Sequence, residues 1–409
     1  MTHAARLAAT GAVLARDAEL WRPRPFAVDP PPWAARMARG AAWLAGLSDG
    51  AVDSIEAADR LPPEAPSELL ALEGELADLA ARSVDRTASA PRGTVAGESG
   101  WRIPARKRAQ IAAFAEALGA APDGAERVVD WCAGKAHLGR TLAARWGQPV
   151  TALECEAGYR DEAEALAARA GVTLGFVAVD VLAEDPRLGA ALGAGVTAVA
   201  LHACGGLGLR LLRLAASDGA SAVALAPCCY HRAHPERIPA PLSRAGREIA
   251  EATGLTLDHS ALRLATADEV VARARLRRGR RRENAWRLGF DLLHREATGV
   301  DAYAPLGVLP PEVLERPFAE FATALATVRG LALPTAWDPA RAEAAGWERA
   351  RRARALGLLR GLYRRTIELH LVLDRAQFLV EAGYDVEVVT FCPRAVSPRN
   401  LLVIGRRAC

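Results

Sequence analysis

The sequence predicts an α/β fold built on a parallel, doubly wound sheet. Three observations carry that expectation. Five strand-length apolar runs alternate with helical ones between residues 101 and 232. Acids stand at the ends of three successive runs, as Asp130, Glu154 and Asp180. Two further β runs close the chain, joined by a Pro-containing turn.

The elements follow in order. Residues 1–90 read as a helical domain, because ARLAATGAVLARDAELW and PWAARMARGAAWLAGL carry helical apolar spacing. Ser67 is the expected N-cap of LLALEGELADLAAR. The stretch 84–100 is small, polar and aperiodic, and reads as a linker. ARKRAQIAAFAEALG then opens the core as an amphipathic helix. Strands are expected in RVVDWCAG, VTALEC, TLGFVAVDVL, VTAVALHACGG and SAVALAPCC, with HLGRTLAARWG, DEAEALAARAG and LGLRLLRLAASDG as the intervening helices. Residues 233–365 read as a helical insertion with a basic centre. A last helix and the hairpin YDVEVVTFC–RNLLVIGRR occupy 366–409.

Bulk properties narrow the function classes. Half of the 409 residues are apolar and the mean hydropathy is +0.05, enough for a substantial core. No apolar run approaches a membrane span, and the first residues lack a signal-peptide core, so a cytoplasmic protein is expected. Seven cysteines with no CxxC pair argue against a disulfide framework and an ordinary zinc knuckle. No metal is assigned from the sequence, although His202, Cys204, Cys228 or Cys229, and His231 would make a tetrahedral sulfur–nitrogen set. Lys107 and Lys135 are the only lysines among 52 basic side chains, the mark of a GC-rich genome.

The chemistry concentrates after the first strand. In VVDWCAGKAHLGR a strand ends in Asp130, Gly134 frees the backbone for a tight turn, and a helix N-terminus follows. Glu154 ends the second strand, where an acid accepts from both ribose hydroxyls. Asp180 ends the third, where a carboxylate accepts from an adenine amino group. Together they define an adenosine-binding crevice. The turn lacks the GxGxxG that a dinucleotide pyrophosphate needs, which favours S-adenosylmethionine over NAD.

VVDWCAGKAHLG resembles the first motif of the Rossmann-like, seven-stranded class I SAM-dependent methyltransferases. ALHACGGL and APCCYH resemble those of a subfamily with LHxCG and CCYH motifs. It includes the methyltransferase-domain-25-like proteins and, more distantly, the tRNA ribose 2′-O-methyltransferases. SPRNLLVIG resembles their ending. The resemblance implies that the hairpin supplies strands six and seven and that the helical insertion falls between strands five and six, overhanging the site. It implies that Asp130, Gly134, Lys135 and Ala136 line the methionine end of S-adenosylmethionine, Glu154 the ribose, and Asp180 with Val181 the adenine. Cys132, His137, His202 and Cys204 complete the expected cofactor wall. Ala136 departs from the subfamily's glycine.

His202 and Cys204 end strand four, and Cys228 to His231 follow strand five, so the two motifs are expected to form one substrate-facing rim. His231, Tyr230 and His202 are the candidate catalytic residues, a histidine serving as base for a hydroxyl acceptor. His137 is a further candidate base. RNA is the leading acceptor, held through arginines at Arg273–Arg287 and Arg351–Arg365. The same arginines would also suit a solvated helix face. A protein or small-molecule acceptor, or a non-catalytic SAM- or metal-binding scaffold, remains open.

Overall fold

The computed structural model describes residues 1–88, 103–232, 240–268, 274–309 and 311–407. They form two compact units, each assembled from separate stretches of chain. One comprises Met1–Arg16, Ala77–Asp268 and Arg364–Cys409; the other comprises Asp17–Leu76 and Glu269–Tyr363. Helices His3–Arg16, Arg244–Thr253 and His259–Leu264, which the sequence reading assigns to helical domains, therefore group with the sheet. The reason is packing: Thr10 Oγ1 lies 3.0 Å from His370 Nδ1 in the interior. Asp374 accepts from Leu242 N at 2.7 Å and from Ser243 N at 3.0 Å.

The first unit carries a mixed, mostly parallel sheet. Its strands are β1 (Arg86–Thr87), β2 (Arg127–Trp131), β3 (Val150–Glu154), β4 (Leu174–Ala178), β5 (Val196–Cys204), β6 (Ala222–Cys228), β7 (Tyr384–Thr390) and β8 (Leu401–Arg407). They lie in the order β1-β7-β8-β6-β5-β2-β3-β4. β2 to β6 are parallel, and β8 runs antiparallel between β6 and β7. The chain leaves β2 toward β3 and β4, then returns to lay β5 on the other side. This reversal leaves a crevice beyond the carboxyl ends of β2 and β5.

The strands form where burial demands it. β6 is buried along its whole length, which its apolar run permits. Helices Ala105–Leu118 and His137–Trp146 cover one face through Ile111, Phe114 and Leu142, packed with Val128, Val199 and Phe391. Phe114 and Phe391 meet edge to face, centroids 6.0 Å apart. Each such side chain contributes about 2–3 kcal/mol by leaving water.

Three expectations change. The sheet has eight strands, not seven, because β1 forms inside the expected linker. Its bonds reach more than three hundred residues away, so no local pattern announces it: Ala88 N donates to Thr390 O, and Val388 N to the Asp85 carboxylate at 2.7 Å. Residues 89–100 of that linker lie outside the described residues. β4 stops at Ala178, two residues before Asp180. The helix expected to be capped by Ser67 instead begins with it.

The second unit is helical. Ala274–Thr298 and Pro339–Leu362 are its two long helices, and Trp286, Phe290, Phe318 and Phe321 anchor its core. Much of its arginine is consumed internally. Arg354 pairs with Asp53 and Glu56, and Arg352 with Asp29 at 3.0 Å. Arg351 donates to Leu47 O at 2.7 Å, and Arg360 to Trp21 O at 2.9 Å. In the sheet unit, Arg364 pairs with Asp268 and Arg365 with Glu368. Arg273 lies outside the described residues. No helix among them is long and apolar enough to cross a membrane.

The long helices touch through glycine. A Cβ on Gly346 would meet Ala285 O at 2.4 Å and Gly289 N at 2.7 Å, both main-chain atoms that cannot turn aside. Gly346→Ala should therefore destabilise the helical unit by about 2 kcal/mol or more. Urea unfolding followed by tryptophan fluorescence checks this; an unchanged midpoint would refute the close approach.

Candidate functional site at the carboxyl ends of the strands

The turn after β2 is bent by its backbone. Cys132, Gly134 and Ala136 all have left-handed φ, at +56°, +55° and +51°. Only glycine takes that conformation freely; each side chain there costs about 1 kcal/mol. Ala136 offsets part of its cost by burying its methyl beside Ala133, Ala152, Ala163 and Phe176. Glycine would take this backbone without that cost.

Two carboxylates hold the turn. Glu154 Oε2 accepts from Gly134 N at 2.7 Å, and its other oxygen accepts from Glu156 N at 3.1 Å. Asp130 Oδ2 accepts from Gly139 N at 2.8 Å. Gly139 must be small, since a Cβ would lie 2.6 Å from Asp130 Cβ. Burial pushes the Asp130 carboxyl up to about 7, against the Gly139 hydrogen bond and the Lys107 charge, which pull it down.

The other expected residues of this segment are used elsewhere. Lys135 Nζ pairs with Glu162 at 2.6 Å and lies 5.9 Å from the Tyr159 ring. His137 is buried, 3.1 Å from Arg140 Nη2 through Nδ1, and burial with nearby cations lowers its pKa to about 4. Asp180 accepts from Leu182 N at 2.9 Å in the turn after β4, and Val181 is buried.

The ends of β5 and β6 are also strained. The register slips between Leu201 and Ala203, and His202 has φ +65°. Cys204 and Cys228 stand opposite each other, Sγ to Sγ 3.1 Å, and the Cys228 thiol lies 3.2 Å from His202 O. Hydrogen bonding from Cys228, and then from Cys229, lowers Cys204 to about 6; its role as donor, together with burial, raises Cys228. Burial, then Arg399, Arg106 and Lys107, lower His202 to about 4, so its imidazole is neutral at pH 7.

A cavity of about 550 Å³ opens here. Of the expected residues, Asp130, Cys132 and His202 line it, joined by Cys228 and Cys229 from the rim. Gly134, Lys135, Ala136, His137, Glu154, Asp180, Val181 and Cys204 are not in its lining. Tyr230 and His231 are not either. Tyr230 is 1% exposed, its hydroxyl has no hydrogen-bond partner among the described residues, and Arg375 stacks 5.0 Å over its ring. Burial holds its phenol well above the ordinary value, so Tyr230 is an interior side chain and not part of the rim. His231 packs edge-on against His259, centroids 5.6 Å apart.

Sequence reasoning missed two thirds of the wall, ten of its fifteen residues. Arg106, Lys107 and Gln110 come from the helix preceding β2, and Ser397 and Arg399 from the loop before β8. The available signal was Lys107 itself, one of two lysines in an arginine-rich chain.

Asp130 supplies a test. Its native pKa lies above the ordinary 3.8, so the folded chain binds more protons than the unfolded one between about pH 4 and 7. Its contribution is fully present below that window and is lost as the pH rises through it. Asn keeps an acceptor for Gly139 and carries no charge. Asp130→Asn should gain stability relative to wild type from low to neutral pH, by on the order of 2–4 kcal/mol. Paired urea titrations at both ends of the window measure the difference; a pH-independent difference would exclude the buried acid.

Comparison with known proteins adds one finding. Residues 106–236 match a family model described as a methyltransferase domain, covering about a third of the chain. No curated protein and no solved structure matches the chain. The matched segment holds β2 to β6 and most of the cavity wall, and the match supports a methyltransferase domain on this mixed, mostly parallel α/β sheet.

Proposed function

We propose that the chain transfers a methyl group from S-adenosylmethionine to an anionic acceptor, with RNA the acceptor of first choice. The observation that carries the acceptor class is the charge of the cavity. Arg106, Lys107 and Arg399 line it against one carboxylate, Asp130, which already accepts from Gly139 N. Three cations exceed the need of one amino-acid carboxylate and suit a phosphate-bearing partner as well.

The residues present fit the cofactor. The cavity volume falls within the roughly 300–1,000 Å³ common for small-molecule sites. It lies at the reversal of strand order, where such folds bind nucleosides. In this reading Asp130, Cys132 and His202 hold the methionine end. Glu154, which already accepts from Gly134 N and Glu156 N, is proposed for the ribose and Asp180 with Val181 for the adenine; all three lie outside the cavity lining, so the nucleoside would extend past it. Bound S-adenosylmethionine supplies an electrophilic methyl on a sulfonium, so the chain needs chiefly to align the acceptor and exclude water. His202 is the catalytic base of the proposal: of the four candidates it alone lines the cavity, where its ring can accept a hydrogen bond from a hydroxyl acceptor. The exposed Arg275, Arg278, Arg280 and Arg282 are the proposed auxiliary RNA contacts.

Methyl-labelled S-adenosylmethionine, purified protein and a lysate from a strain lacking the gene test this directly. Label should enter RNA and be released by nuclease. Lys107→Ala should reduce RNA labelling by about tenfold, the loss of one well-placed phosphate contact. Label confined to protein or small molecules would overturn the RNA acceptor. Absence of label in every fraction would overturn methyl transfer.

A further inference from the structure

Cys204, Cys228 and Cys229 bring three thiol sulfurs within 4.8 Å of one another. None of the three is in a disulfide. Cys204 ends β5 and Cys228 ends β6, in register across the two strands. Their neighbourhood explains itself by pairing; that of Cys229 does not. Consecutive residues of a strand point to opposite faces. Cys229 lies one residue beyond the end of β6, where continued alternation would turn it away from Cys228; instead the chain enters the left-handed region at φ +44° and its sulfur joins the other two. A side chain held there costs about 1 kcal/mol, and such cost is concentrated at functional sites. Simple packing would not require it, since Cys229 is only partly buried.

The arrangement suits a soft metal ion. Tetrahedral zinc–thiolate bonds of about 2.3 Å place sulfurs about 3.8 Å apart, a small adjustment from the spacing present. Among the described residues no His, Asp or Glu completes the group. A site with three protein ligands and one open position is the catalytic pattern for zinc. Cys228 and Cys229 also line the cavity.

We propose that Cys204, Cys228 and Cys229 form a three-thiolate site for a thiophilic divalent ion, zinc first, whose fourth position is left to water or an acceptor in the cavity. The ion displaces the thiol protons to solvent, and no redox step is involved. The absence of CxxC spacing is no obstacle, because the ligands meet across neighbouring strands rather than along one loop. This inference does not depend on methyl transfer, and its test reads metal directly.

Full-length protein, purified anaerobically with a non-thiol reductant, is loaded with Zn²⁺ or Co²⁺ and dialysed. The expected result is about one ion per chain, with an intense near-ultraviolet sulfur-to-cobalt charge-transfer band. Cys229→Ser, at a partly exposed position that circular dichroism can show to be folded, should lose about a third of that band and bind Zn²⁺ at least roughly tenfold more weakly. Cys155→Ser, an exposed cysteine outside the cluster, should leave both unchanged. No charge-transfer band in the wild type would overturn the site. So would a band that survives Cys204→Ser and Cys229→Ser undiminished.

Discussion

Two buried carboxylates hold the turn that follows β2, and the rest of the site depends on them. Glu154 takes the Gly134 amide and Asp130 takes the Gly139 amide, so one acid fixes the tip of the turn and the other draws in the first coil of the following helix. Each such hydrogen bond contributes about 1 kcal/mol net, which offsets part of the cost of the left-handed residues in the turn. Without these bonds the main chain at 132–136 has no reason to keep three left-handed residues in five, and the cavity wall at Cys132 and Ala133 would not form. The acids that the sequence offers as cofactor ligands thus serve first as builders of the turn.

Strain is concentrated at this edge of the sheet. Among the described residues, five non-glycine residues have left-handed φ, and four of them are Cys132, Ala136, His202 and Cys229. Cys132 and Ala136 follow β2, His202 lies at the register slip near the end of β5, and Cys229 follows β6, positions that the parallel sheet brings to one edge. A fold selected for stability alone would place glycine at these positions. The distribution ties the two motifs, CAGKAH and APCCYH, into one region of function without any assumption about what binds there.

The fold was legible where its cause was local. The alternation of apolar runs and amphipathic helices gives β2 to β6, and the Pro-containing turn gives the β7–β8 pair. What was not legible rests on distant partners. β1 exists because Asp85 and Ala88 find the backbone of β7. Helix His3–Arg16 joins the sheet unit because Thr10 meets His370. The site divides in the same way. Strand-end acids and the CCYH run could be found by position, whereas Lys107 and Arg399 reach the cavity only through packing. Tyr230 shows the converse, a residue next to the rim in sequence and enclosed in the interior in space.

The central claim is that this cavity is the place of cofactor binding. Hydrogen–deuterium exchange with and without S-adenosylhomocysteine tests it most directly, because it reads location as well as affinity. The account predicts slower exchange in the turn from Cys132 to His137 and at the β5 end around His202, with the helical unit unchanged. Protection confined to other segments, or no protection at saturating ligand, would contradict it.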